Sequence, residues 1–179
     1  MLPSSQRTGK WNIMTARSHR VEQPDDLKAA DLFSLDDYDR VIGFVISQAA
    51  EALSRQLIAI IERNGISITP REFVIINRLW QFQSLTQSQL VNLSYKDPAA
   101  TSRLVESLRK KGLVTRKTSP SDRRVTDVKL TEKGSAVRSI LAPQISEMLR
   151  SATAHVDEAD LLAAFRVMKA IAGSSETTR

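Results

Sequence analysis

Three helix starts and one helix stop fall between Thr69 and Gly112, and they leave few architectures open to the middle of this chain. Thr69, Pro70 and Glu72 supply a capping hydroxyl, a proline where no amide donor is lost, and a carboxylate at the third helical position. The apolar residues that follow, Phe73, Ile76, Leu79 and Trp80, predict its inward face. Thr86 and Gln89 form a second capping box, opening a short helix to about Ser94 with Leu90 and Leu93 inward. Asp97 and Pro98 open a third helix that runs to Lys111 and stops at Gly112. Beyond it the pattern changes. Leu113 to Thr115 reads as a strand, Thr118 to Asp122 as a turn, and Val125 to Leu130 alternates as a returning strand. The local order is helix, turn, helix, hairpin.

Long helical patterns flank this block. Ser34 with Asp37 opens the first, whose stripe of Tyr38, Val41, Ile42, Val45, Ala49, Ala52, Leu53, Leu57, Ile60 and Ile61 ends at Asn64 and Gly65. Thr131 caps another, interrupted at Pro143, and Asp157 with Asp160 opens a last one bearing Leu161, Leu162, Phe165, Met168 and Ile171. These apolar faces exceed what one small domain covers, which points to burial against a second element or subunit. Residues 1–33 lack apolar periodicity and are basic up to Arg20 and then acidic, as expected of an arm, either solvated or touching DNA. The expected organisation is an arm over 1–33, a winged helix-turn-helix over 67–130, a helical dimerisation region over 34–66 and 131–173, and a tail over 174–179. The fold class is mainly α with a small β-hairpin.

Charge is concentrated in the same block. From Lys96 to Lys133 there are eleven Lys and Arg against five Asp and Glu, which accounts for the whole formal net charge of +6. A basic excess confined to one compact segment is the footprint of a surface that meets phosphates. Aromatic residues make up only 5% of the chain, too few for a platform that stacks single-stranded bases, so duplex DNA is the expected partner.

Other function classes lose their residues. Cysteine is absent, which removes disulfides, thiolate metal sites, thiol nucleophiles and thiol redox sensing. The two histidines, His19 and His155, stand apart, no metal-ligand spacing is present, and no Gly-rich phosphate loop, GxSxG elbow or HExxH helix occurs. The expectation is therefore no enzyme, no cofactor and no metal. No secretory core and no membrane span stand out either, so a cytoplasmic protein without membrane contact is expected.

A helix-turn-helix reads DNA with the first residues of its second helix. Here those residues are Pro98, Ala99, Ala100, Thr101, Ser102 and Arg103, small or donor-bearing, while Leu104, Val105 and Leu108 face inward. Arg116 and Lys117 on the first strand and Arg123 and Arg124 at the hairpin tip add cations. An arginine at such a tip suits the narrow minor groove, and Asp122 is placed to hold a guanidinium by a charge-assisted hydrogen bond; a solvated loop with a local ion pair is the alternative.

From Lys96 to Gly134 the sequence resembles the recognition helix and wing of the MarR family of bacterial winged-helix regulators, and with the flanking helices the resemblance extends over about residues 35–172. It implies a homodimer in which the first and last two helices of each subunit interlock, and two winged domains that reach successive major grooves of a near-palindromic operator. It implies that Ser102 and Arg103 contact DNA, that Arg124 is the minor-groove arginine and that Asp122 supports it. Ala99, Ala100 and Thr101 depart from the family pattern, so operator preference is not inherited. It further implies a small-molecule effector in the crevice between dimer helices and winged domain, where Trp80 and Phe82 either line the site or belong to the core. The expected function is a sequence-specific double-stranded DNA-binding transcriptional regulator, a repressor released by an effector. The alternative is a winged-helix architectural or protein-interaction module without effector control.

Overall fold

The structure is a computed structural model that describes residues 28–94, 97–118 and 126–174. It divides into two compact units, residues 1–47 and 48–179. In the first unit, short 3-10 turns occupy Asp31–Phe33 and Tyr38–Arg40, and helix α1 (Ile42–Arg63) begins only after them. The start expected at Ser34 is therefore displaced by eight residues. The reason is local: the Ser34 hydroxyl donates to Asp36 Oδ2 at 3.0 Å and accepts from the Asp36 amide at 3.2 Å. Serine and aspartate close a turn on their own backbone in preference to a helix.

In the second unit, helices α2 (Pro70–Phe82), α3 (Gln87–Leu93) and α4 (Pro98–Lys110) follow α1, with strand β1 (Leu85–Thr86) between the first two. Strands β2 (Val114–Thr118) and β3 (Thr126–Leu130) form the hairpin, and helices α5 (Glu132–Ala152) and α6 (Glu158–Ser174) complete the order. The three strands make one antiparallel sheet in the order β1-β3-β2, with Leu85 opposite Val128 and Arg116 opposite Val128 on the other side. Two-residue β1 was not foreseen, because it exists through pairing with a strand some forty residues on.

The core is one cluster. Ile75 and Ile76 of α2, Leu90 of α3, Val105 and Leu108 of α4, Val128 of β3 and Leu141 of α5 are fully buried. The expected inward set of α2 changes by one residue, since Ile75 is buried and Trp80 is exposed. Both predicted capping boxes are present, with Thr69 and Glu72 on α2 and Thr86 and Gln89 on α3 each exchanging reciprocal hydrogen bonds.

The stop at Gly112 has a specific geometry. The Gly112 amide donates to the Arg109 carbonyl at 3.0 Å and the Leu113 amide to the Leu108 carbonyl at 2.9 Å, a Schellman ending that needs the positive φ of 71° at Gly112. Helix α5 then starts against this turn. Thr131 caps it by accepting from the Gly134 amide, and its hydroxyl donates to the Gly112 carbonyl at 2.8 Å. A β-carbon at Gly134 would lie 2.1 Å from the Leu113 carbonyl oxygen, so glycine is what allows the approach.

Two further expectations are corrected. Helix α5 runs through Pro143 without interruption. Directly after Pro143, Gln144 donates its side-chain amide to the Ile140 carbonyl at 3.0 Å and exchanges two 3.1 Å bonds with the side chain of Asn64, just past the end of α1, which braces this stretch. And α1, through an 18-residue stretch with a mean hydropathy of 1.3, has the length and composition of a membrane-crossing helix, where no such segment was expected. Ile60 and Ile61 at its end are nonetheless buried in the core with Leu57 packed beside them.

Candidate nucleic-acid interface

The first turn of α4 is fixed by its cap. Asp97 Oδ1 accepts the Ala100 amide at 2.9 Å, and Pro98 occupies the first helical position. Pro98, Ala99 and Arg103 are exposed, and Ala100 and Ser102 are half-buried at the rim. Along one exposed face Arg103, Glu106 and Lys110 follow at helical spacing, and with Ser102 and Ser107 they line a shallow depression of about 420 Å³.

Thr101 is a correction. Its side chain is fully buried, on the same face as Val105 and Leu108, and its hydroxyl meets no hydrogen-bond partner. The spacing of four and then three residues from 101 to 105 to 108 is the signature of the core face. Thr101 is thus closed to DNA while its neighbours Ser102 and Arg103 stay at the surface.

Arg116 also turns inward. Strand alternation puts buried Val114 and half-buried Arg116 on the face of β2 opposite Val128, and exposed Thr115 and Lys117 on the other. Arg116 donates to Gln87 Oε1 at 2.7 Å and lies 3.8 Å from Glu106 Oε2. Glu106 also takes a bidentate pair from Arg109, at 2.8 and 2.9 Å. Hydrogen bonds from Arg109 above all, together with the nearby cations, hold the Glu106 carboxyl below its ordinary pKa. Arg116, expected on DNA, is instead joined to Glu106, linking the first turn of α3, the middle of α4 and β2. A carboxylate three residues before one arginine and ten before another was the available signal. Lys117 remains exposed on the outer face. Asp122, Arg123 and Arg124 lie outside the described residues.

Trp80 and Phe82 are both exposed, at 39% and 43%. The Arg138 guanidinium of α5 stacks over the Trp80 ring, 4.7 Å from its centroid. Neither aromatic lines the cleft of about 740 Å³ that opens between α1 and α5, whose walls include Gln56, Ile60, Arg63, Gln144, Glu147 and Met148.

Comparison with known proteins assigns this architecture. Residues 68–126, from the cap of α2 to the hairpin, match the model of the MarR family. The HTH-type transcriptional regulator MhqR of Bacillus subtilis is 28% identical over 109 residues, spanning 59% of this chain and 74% of that protein. A MarR family transcriptional regulator from Silicibacter pomeroyi superposes with a TM-score of 0.65 at 22% identity, over 79% of this chain and 94% of its own. BpsR of Bordetella bronchiseptica, whose DNA binding is regulated by 6-hydroxynicotinic acid, superposes with a TM-score of 0.68 at 19% identity, over 76% and 96%.

Proposed function

Because this chain belongs to the MarR family of winged helix-turn-helix transcriptional regulators, we propose that it binds a near-palindromic operator as a homodimer and represses from it until a small molecule releases it. The observation that carries DNA recognition is the N-terminal turn of α4, capped by Asp97 and presenting Ala99, Ser102 and Arg103 beside exposed Lys110 and Lys117. Small side chains let the helix approach base edges closely, the methyl of Ala99 suits a thymine methyl, and Arg103 reaches guanine or phosphate. In this reading Arg123 and Arg124 supply the cations for the adjacent minor groove and Asp122 the carboxylate that supports one of them.

Homodimerisation is supported by α6. Leu161, Leu162, Phe165, Val167, Met168 and Ile171 are each about half exposed, a helix face that water does not favour and a second copy covers. The two-fold axis then sets two α4 helices about one turn of DNA apart. Effector control is supported by the α1/α5 cleft, which has the size and the mixed apolar and polar lining of a small-molecule site. A ligand there that favours one spacing of the two winged domains shifts the equilibrium away from the operator-bound form.

Competition binding tests this reading. Operator DNA selected from a random pool is expected to outcompete unrelated duplex by at least about a thousandfold. Arg124→Ala is expected to weaken binding and lower the salt slope by about one. Equal affinity for all duplexes would make the protein an architectural binder instead.

A further inference from the structure

Glu72 is the one charged side chain buried in the core among the described residues, and it does more than cap α2. Its Oε2 accepts the Thr69 amide at 2.7 Å, the bond that the capping box requires. Both carboxylate oxygens also lie 2.7 Å from the Lys111 ammonium, and the nearby Ser107 hydroxyl favours the charged form of the same group. Ser107 sits in the last turn of α4 and Lys111 is its C-cap. One buried carboxylate therefore joins the first turn of α2 to the far end of the helix proposed to enter the major groove.

Helix α3 provides an internal control. There Gln89 fills the same capping-box position with an amide, so capping alone does not call for a carboxylate at position 72. The charge is what Lys111 pairs with. Burying a carboxylate is costly without a partner, and Lys111 is a third exposed, so the pair is held by geometry on the Glu72 side and open to water on the other. Lys111 is anchored a second time, because its carbonyl accepts from the Lys133 ammonium of α5 at 3.1 Å.

We propose that the Glu72–Lys111 pair positions the recognition helix, tethering its C-terminal end so that Ala99, Ser102 and Arg103 meet base edges in one register. Glu72 is a positioning residue, remote from DNA. Helix α4 runs from Pro98 to Lys110 and is about 20 Å long, so a tilt of roughly 10° about the tether moves its first turn by about 3 Å. A hydrogen bond to a base edge is lost well within that distance. Sequence-independent attraction to phosphates tolerates it, because it depends on charge rather than on angle. Loss of the tether accordingly lowers discrimination between operator and other DNA and leaves nonspecific binding in place.

The inference rests on α4 being the base-reading helix, and the experiment separates the two. Operator is first selected with the wild-type protein, and Glu72→Gln, the neutral double variant E72Q/K111M and Lys111→Arg are then compared on operator and competitor duplex. Glu72→Gln keeps the cap, as Gln89 does, and the double variant leaves no unpaired buried charge. Both are expected to remain folded by circular dichroism, to bind competitor within about twofold of wild type, and to lose roughly tenfold in preference for operator, the scale of one base contact. Lys111→Arg, which keeps the charge pair, is expected to retain the preference. Unchanged preference in folded Glu72→Gln and E72Q/K111M, with only a lower melting temperature, would overturn the proposal and leave the pair a stabiliser. A wild-type protein that enriches no operator would overturn instead the reading of α4 on which it rests.

Discussion

In the winged domain Ile75, Ile76, Leu90, Val105, Leu108 and Val128 are fully buried, whereas α6 leaves between 41% and 57% of Leu161, Leu162, Phe165, Val167, Met168 and Ile171 in water. Both regions have amphipathic sequence, but only one closes its apolar face within its own chain. The winged domain is boxed by caps at Thr69, Thr86, Asp97 and Thr131 and by the Schellman ending at Gly112, so each helix stops where the next element can pack. Helix α6 contributes no residue to the core cluster among the described residues. The contrast separates a part of the chain that closes its own core from a helix whose apolar surface stays in water, the surface proposed above for a second copy.

Truncations on the two sides test that contrast most strongly. Leu108→Ala is expected to cost about 2–5 kcal/mol in denaturant unfolding, because it leaves a cavity in a closed core. Phe165→Ala is expected to leave the winged domain folded and to shift the monomer–dimer equilibrium in sedimentation, making stability less dependent on protein concentration. A Phe165→Ala protein as unstable as Leu108→Ala and unchanged in mass would remove the distinction.

Gly134→Ala probes the seam between the α4–β2 turn and α5. The added carbon meets the Leu113 carbonyl, a backbone atom that also accepts the Thr131 amide at 3.1 Å, so relief requires the chain to move. A loss of about 2–3 kcal/mol is expected in thermal or denaturant unfolding.

Glu72 gives the winged domain a pH signature. Burial alone would raise its pKa, but the Lys111 ammonium, the nearby Ser107 hydroxyl and the Thr69 amide outweigh that and hold the carboxyl below its ordinary 4.5. A carboxyl depressed on folding contributes stability that is complete above the unfolded value and lost as pH falls through the folded one. The stability gap between wild type and Glu72→Gln, about 2 kcal/mol at neutral pH for hydrogen bonds to a charged group, is expected to shrink as pH falls below 4.5. A gap independent of pH across that window would contradict the assignment.

The smallest effects distinguish the two faces of α4. Arg103→Ala is expected to cost about 1–2 kcal/mol in operator affinity. Thr101→Val is expected to leave DNA affinity unchanged and stability equal or higher, because the hydroxyl it removes is buried without a partner.

The features legible in the sequence are those made locally. Thr69 with Glu72, Thr86 with Gln89, Asp97 with Pro98, and Gly112 each act within four residues of themselves, and the helices they bound lie where expected. The inward turn of Thr101 and of Arg116 was also written in local periodicity, at helical spacing with Val105 and at strand spacing with Val114. Functional expectation for small and basic residues had obscured it. Strand β1 and the Glu72–Lys111 pair were not legible, because each joins residues about forty positions apart and exists only once the fold has formed. The same holds for the α1/α5 cleft, which draws on two helices separated by the whole winged domain and took no residue from the aromatics first suspected.

Selection of binding sites from random duplex DNA tests the central claim most directly. One enriched near-palindrome is expected, its half-sites centred about one helical turn apart, as two α4 helices related by a two-fold axis require. Enrichment of a single unpaired half-site, or of no sequence at all, would contradict it.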